Sequence, residues 1–436
     1  MQQVGLSFGR GHLQVAVPDG ARATVIRKHP LPRLADAAAA VRQAFAAPVG
    51  SPPLHELARG RLSACILICD ITRPVPNHLF LRPMIETMIA GGIPRAAITV
   101  LVATGLHRPN EGDELRELVG CDWVLANVRV ENHFARDDAA HVDLGVTEGR
   151  RTPIGIDRRF VDADLRIATG LVEPHFMAGW SGGRKVVAPG IAHHTTIRTF
   201  HSARFMEDPL AIQCNLVGNP LHEEQLEIVQ RIGEIYALNT VLDEDRALAC
   251  VTFGEIIASH LAAVAFATDA TRVPAPRRYH TVVTSSAGYP LDKTYYQTVK
   301  GMVTPLDILA PGGTLIMVSE CSEGFGSQEF RHAQERLVEL GMERFLATLT
   351  AKSLAEIDEW QTEMQLKPMR LGRVALYTTG LDAQERRITG VELIDDVATA
   401  IEASILRHGD PHVAFIPEGP YVVPFCSTVH DRPIAA

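Results

Sequence analysis

The chain has 436 residues, 46% hydrophobic and 21% charged, which is a soluble globular composition too long for one ordinary core, so two domains are expected. Its net charge of -9 disfavours a general role on nucleic acid or an anionic membrane, while leaving room for a local basic pocket. No apolar run approaches the ~20 residues of a membrane span, the first ten residues lack a signal core, and seven dispersed cysteines without a CxxC pair point to reduced thiols and a cytoplasmic protein.

Residues 3–30 read as short strands, and Leu34 to Ala46 as an alanine-rich helix. Ala64 to Cys69 (ACILIC) is a continuous apolar run, the pattern of a parallel strand buried on both faces. A helix from His78 to Ala90 follows, stopped by Gly91-Gly92. Ala97 to Ala103 is the next strand and Glu111 to Val119 an acidic helix. This alternation is the doubly wound α/β pattern, in which ligands bind beyond the carboxyl ends of the strands. Val128 to Asn132 and Asp164 to Thr169 read as further strands, separated by a polar, turn-rich stretch at 139–152. Thr195 to Met206 and Leu221 to Leu238 read as helices, Ala247 to Phe253 as a strand, and Glu255 to Thr268 as a helix. Arg272 to Arg278, with two prolines and three arginines, reads as a linker. Beyond it a second α/β unit places strands at Tyr279 to Ser285, Gly313 to Ser319, Arg373 to Tyr377 and Val413 to Ile416, with helices between. The predicted organisation is a first α/β domain over 1–272, to which 411–436 returns, and a second over 279–410. Both carry mostly parallel sheets flanked by helices, and the active site is expected in the cleft between them.

Four polar clusters fall at strand ends. Asp70, Thr72 and Arg73 suit a phosphate or carboxylate, or equally a helix cap with a surface arginine. His107, behind Thr104-Gly105, is a candidate general base or a satisfied loop histidine. The stretch Gly170 to Ser202 is the densest: it holds His175, the glycine turn Ser181-Gly182-Gly183-Arg184-Lys185, and His193, His194 and His201. Arg184 beside Lys185 would lower the lysine's pKa and favour a neutral, nucleophilic amine. His194 and His201, seven apart, would share one helical face as two metal ligands, or as one ligand and one surface histidine. Gln297 and Lys300, near Tyr296, lie one turn apart and can point at one anion, or simply start an exposed helix. There is no Walker loop, HExxH, GxGxxG or Ser-His-Asp spacing. The residues alone indicate a small anionic substrate, histidine acid/base chemistry and a possible metal. A metal-dependent hydrolase or lyase and a non-catalytic cofactor carrier are the other classes compatible with them.

DITRPVP at 70–76, TGLHRP at 104–109, EPHFMAGWSGGRK at 173–185, His201, GYPLDKTYYQTVKGM at 288–302, DEWQ at 358–361 and IPEGPYVVP at 416–424 resemble, in order, the nickel-dependent lactate racemase family of 2-hydroxy acid racemases and epimerases. The resemblance implies a nickel-pincer nucleotide, a Ni(II)-pyridinium-3,5-bisthiocarboxylic acid mononucleotide, covalently tethered at Lys185 with His201 as nickel ligand. It implies that Asp70, Ile71, Thr72 and Arg73 hold the nucleotide and that His107 and His175 are the paired acid/bases. Gln297 and Lys300, with Arg73, would bind the substrate carboxylate, and Tyr296 and Trp360 would wall the pocket. His193 and His194 have no role in that pattern. Cofactor-biosynthesis proteins are implied as partners. No cation is evident for a second carboxylate, which favours a monocarboxylate such as lactate.

Overall fold

The computed structural model describes residues 2–243 and 245–426. The described residues divide into two compact units: a first of residues 30–200, 210–243 and 245–268, and a second of residues 2–29, 201–209 and 269–426.

The first unit is built on a six-stranded sheet. Its spatial order is Leu248–Glu255, Tyr236–Leu242, Leu165–Leu171, Ala64–Cys69, Ile98–Ala103, Arg129–Asn132. All neighbours run parallel except the Leu248–Glu255 edge, which pairs antiparallel with Tyr236–Leu242. The apolar run at 64–69 is central, and Ile66, Leu67 and Ile68 are fully buried. The helix Asn77–Ala90 turns Phe80, Leu81, Met84, Ile85 and Met88 inward; their three- and four-residue spacing makes one face, which packs on Ile66, Ile68, Val100 and Val102. Burying each such side chain contributes roughly 1.5–3 kcal/mol.

The helix expected over Leu221 to Leu238 stops at Ile232, because Gly233 takes a φ of +99° and ends it. Tyr236–Leu242 then forms a strand that local periodicity had merged with the helix. The polar stretch at 139–152 contributes a hairpin, His141–Val146 antiparallel to Pro153–Asp157.

The second unit carries six parallel strands in the order Glu392–Ile394, Arg373–Tyr377, Leu309–Val318, Tyr279–Ser285, His412–Ile416, Arg22–Val25. This corrects the expected domain limits. The N-terminal residues belong to this unit, and His412–Ile416 is an interior strand of its sheet. The hairpin Gln3–Phe8 with Gly11–Ala16 packs Val4, Leu6 and Val15 on Val283, Ile316 and Val413 of the same core. Residues 427–436, expected to return to the first domain, lie outside the described residues. The linker at 272–278 is partly a strand, Arg272–Ala275 pairing with Val423–Cys426. The helix expected over Thr195 to Met206 is two short helices, His194–Phe200 and Ala203–Met206, with His201 and Ser202 between them. Among the described residues no helix is long and apolar enough to cross a membrane.

Candidate active site

In the first unit the strand order reverses between Ala64–Cys69 and Leu165–Leu171, and a crevice at such a reversal is where doubly wound sheets bind ligands. Asp70 to Arg73 leave one strand end; Glu173 and His175 follow the other.

Asp70 is buried but keeps its charge. His107 Nδ1–H donates to its Oδ2 at 2.5 Å, and the Thr72 hydroxyl donates to its Oδ1 at 2.6 Å. Burial opposes ionisation, yet these hydrogen bonds and the charge of Arg73 hold the carboxyl below its ordinary range. The pairing puts the His107 proton on Nδ1 and leaves the Nε2 lone pair on a solvent-facing ring, 62% exposed. The His107 loop is fixed by Gly105 N–H to the Gly190 carbonyl at 2.9 Å and by the Thr104 hydroxyl to the His133 carbonyl at 2.7 Å. Ile71 N–H donates to Asn110 Oδ1 at 3.3 Å, and Arg73 Nε lies 3.6 Å from Glu173 Oε1. The sequence pointed to Asp70 as a ligand contact; the structure shows its carboxylate engaged with His107 and Thr72.

Lys185 sits on a turn whose glycines, Gly182 and Gly183, take φ of +79° and +48°. A β-carbon on Gly183 would also meet the His260 side chain at 2.9 Å. Burial, then the charges of Arg73 and Arg184, bring the Lys185 amine down to about 8. The cause read from the sequence, Arg184, is thus the lesser one. Arg184 is itself buried and donates to the Ala178 and Trp180 carbonyls at 3.1 and 3.3 Å. It thereby fastens the hairpin of Pro174–His175 and Gly179–Trp180. On that hairpin His175 is buried and stacked on Phe176, and its Nδ1 accepts from Ala178 N–H at 3.2 Å and Met177 N–H at 3.4 Å. This pattern places the His175 proton on Nε2, the complement of His107.

In the second unit the helix Tyr295–Val303 is capped by Thr294 and carries Tyr296, Gln297 and Lys300. Gln297 Oε1 is buried without a hydrogen-bond partner among the described residues, so the amide is poised for a donor. Trp360, at the start of the helix Glu359–Leu371, donates Nε1–H to the Tyr296 hydroxyl at 3.3 Å, and its ring lies 4.4 Å from that of His201. Gln361, which the sequence reading did not single out, donates to the Tyr296 carbonyl at 2.7 Å; its place in the DEWQ stretch was the available signal. His201, Trp360, Tyr296 and Gln361 therefore form one connected wall. His194 belongs to the first unit and His201 to the second, so the shared helical face does not exist.

Comparison with known proteins shows the family. Residues 8–213 match the lactate racemase N-terminal domain and residues 276–423 the lactate racemase C-terminal domain. The lactate racemase of Lactiplantibacillus plantarum is 32% identical over 378 residues, covering 85% of this chain and 87% of that protein. The lactate racemase of Thermoanaerobacterium thermosaccharolyticum is 29% identical over 386 residues, covering 88% and 89%. The lactate racemase apoprotein structure from the latter organism superposes with a TM-score of 0.90 at 26% identity, covering 97% of this chain and 100% of that one. A Thermotoga maritima protein, at 18% identity and a TM-score of 0.65 over 86% of this chain and 98% of its own, shares the fold. With both domains matched, in order and over most of its length, the chain belongs to the lactate racemase family.

Proposed function

We propose that this chain, an isomerase by family, racemises or epimerises a 2-hydroxy monocarboxylate such as lactate, using a lysine-tethered nickel-pincer nucleotide. One observation carries the reading. At the strand-order reversal, an aspartate-oriented histidine and a lysine with its amine brought down to about 8 share the neighbour Arg73. A structural turn has no need of such a lysine, whereas an amine that must join a thiocarboxylate has to be neutral to attack.

The residues present fit the cofactor. Lys185 would hold it covalently, Asp70 to Arg73 would face its nucleotide part, and the His201 imidazole, a donor that suits Ni(II), would ligate the nickel. When bound, the cofactor supplies a reversible acceptor for the hydride at substrate C2. The chain's own groups do the rest. His107 Nε2, its ring oriented by Asp70 on Nδ1, takes the hydroxyl proton of one enantiomer and His175 takes that of the other, the imidazolium so formed returning a proton to the keto oxygen as hydride comes back. Each enantiomer requires a group on its own side, which accounts for two histidines. Gln297 and Lys300 bind the carboxylate, with Arg73 adding charge, and Tyr296 and Trp360 bound the pocket. Asp70 acts through His107 as a positioning residue.

The test uses protein from a cofactor-competent host: intact mass for an adduct lost in Lys185→Ala, and chiral chromatography of enantiopure lactate. Protein from that host with neither adduct nor nickel, and no racemisation on adding cofactor, refutes the reading. Supply of the cofactor by biosynthesis proteins and a cytoplasmic location belong to the same proposal.

A further inference from the structure

Away from the strand-end crevice, the first unit carries a row of four histidines. The rings of His133 and His141 meet edge-on at 5.1 Å, His141 and His193 at 4.9 Å, and His193 and His194 lie 4.2 Å apart. The row is anchored at its inner end by His133 Nδ1 on Asp157 at 2.9 Å. At its outer end His193 Nε2 lies 2.9 Å from Asp138 Oδ1. One donor atom each from Asp138, His193 and His194 can be chosen so that all lie within 4.8 Å of one another. Ligands of a tetrahedral metal with bonds of ~2.0–2.2 Å stand roughly 3.3–3.5 Å apart, so only small side-chain rotations separate this cluster from a coordination shell. Asp138, 87% exposed, is free to make them.

We propose that Asp138, His193 and His194 form a second metal site, selective for a divalent transition ion such as Zn(II), Co(II) or Ni(II), distinct from the nickel position assigned to His201. The backbone around it is rigid. His193 N–H donates to the Gly155 carbonyl and His194 N–H to the Ala135 carbonyl, both at 2.8 Å. Gly155 is required for this approach, since a β-carbon there would lie 2.6 Å from His193 Cβ. The Thr195 hydroxyl lies 2.8 Å from His193 Nδ1 and the Thr195 N–H donates to the same nitrogen at 3.4 Å, which fixes the orientation of the ring.

His141 gives an independent indication. It is buried, its Nδ1 proton goes to the Asp137 carbonyl at 2.7 Å, and its Nε2 lone pair has no hydrogen-bond partner among the described residues. A buried imidazole lone pair beside other imidazoles is costly unless positive charge is held nearby. Two imidazoles and one carboxylate favour borderline transition ions over Mg(II) or Ca(II), and water would complete the shell. An ion there would clamp the turn at 135–141 to the start of the helix His194–Phe200, the segment that leads directly to His201.

The full-length chain is stripped with chelator and titrated with Co(II), following visible absorption, with Zn(II) displacement afterwards. The His201→Ala variant is run in parallel, so that the nickel ligand assigned above does not contribute and failure of that assignment leaves this test intact. One equivalent should bind in both proteins. His193→Ala and His194→Ala should each weaken binding by about 100-fold or more, and Asp138→Asn by roughly tenfold, given that even outer-partner losses cost 10–100-fold. Zn(II) should raise the thermal midpoint of the parent more than that of Asp138→Asn, and Mg(II) should move neither. Asp138 is exposed, so its variant folds and decides the matter should the histidine variants not. Equal Co(II) affinity in Asp138→Asn and the parent, or no binding at about 0.1 mM, overturns the site.

Discussion

Lys185 sets function against stability, and the conflict can be measured. A lysine with an amine at about 8, against 10.5 for its ordinary value, is disfavoured in its charged form by 2.5 units, or at most about 3.4 kcal/mol at 1.36 kcal/mol per unit. The figure is an upper bound, because the side chain keeps part of its surface in contact with solvent. The sign follows from proton counting. Between pH 8 and 10.5 the unfolded chain binds the proton and the folded one releases it, so stability rises with pH across that window. Below pH 8 the whole penalty is present. Lys185→Met keeps the length and apolar stem and removes the charge. In cofactor-free protein it should stabilise the first unit by up to about 3 kcal/mol at pH 7, shrinking to below about 1 kcal/mol by pH 10. For a unit of this size that is a rise of several degrees in thermal midpoint, at roughly 2–4 °C per kcal/mol. Calorimetry of the two proteins from pH 6 to 10 reads it directly. A variant no more stable than the parent at pH 7, or a pH-independent difference, refutes the account of a buried, charge-strained amine.

Other outcomes follow from the same geometry. Asp70→Asn removes the charged partner of His107 at 2.5 Å and should lower kcat/KM of the cofactor-loaded enzyme by about 10–150-fold, the worth of one charge-assisted hydrogen bond. Lactate enantiomers have equal free energy, so the loss must be the same in both directions; retained activity sinks the assignment. Lys300→Met should act mainly on KM, by roughly 10–100-fold, and a pure kcat effect would place the lysine elsewhere. Asp157, hydrogen-bonded to Arg159 and His133, is held well below the ordinary carboxylate range despite its burial. Its contribution is fully present above pH ~4 and is lost as the pH falls further, so Asp157→Asn should destabilise the protein at pH 7 by about 3–5 kcal/mol and flatten the acid limb of the melting profile.

Where the chain signals its structure locally, the sequence was legible. ACILIC at 64–69, YHTVVTS at 279–285 and RVALY at 373–377 are strands within the limits their apolar runs suggested. The strand Tyr236–Leu242 was lost because its alternation continues the helical pattern before it; the stop lay in Gly233, a single residue. Pairing partners were not legible at all. Nothing near Arg22 announces that it will lie beside His412. The same holds for the site. His107 was recognisable from its strand-end loop, but its bond to Asp70 joins loops 37 residues apart. His193 and His194 looked ordinary because the carboxylate facing them comes from a turn 55 residues earlier.

Among the described residues the strand Arg22–Val25 pairs with His412–Ile416 alone, which has a consequence during synthesis. The strand that Arg22–Val25 must join is made nearly 390 residues after it. At about 5–20 residues per second that is a wait of roughly 20–80 s. Meanwhile the sheet of the first unit acquires its last strand once Glu255 has emerged. Val4, Leu6 and Val15, finally almost completely enclosed, have no core to enter until Val283 and Ile316 have been made, and that core is completed only with Val413. A segment made early is thus fastened late. A nascent chain of this protein spends most of its birth with an apolar hairpin in search of a partner, which is the kind of surface a ribosome-associated chaperone receives.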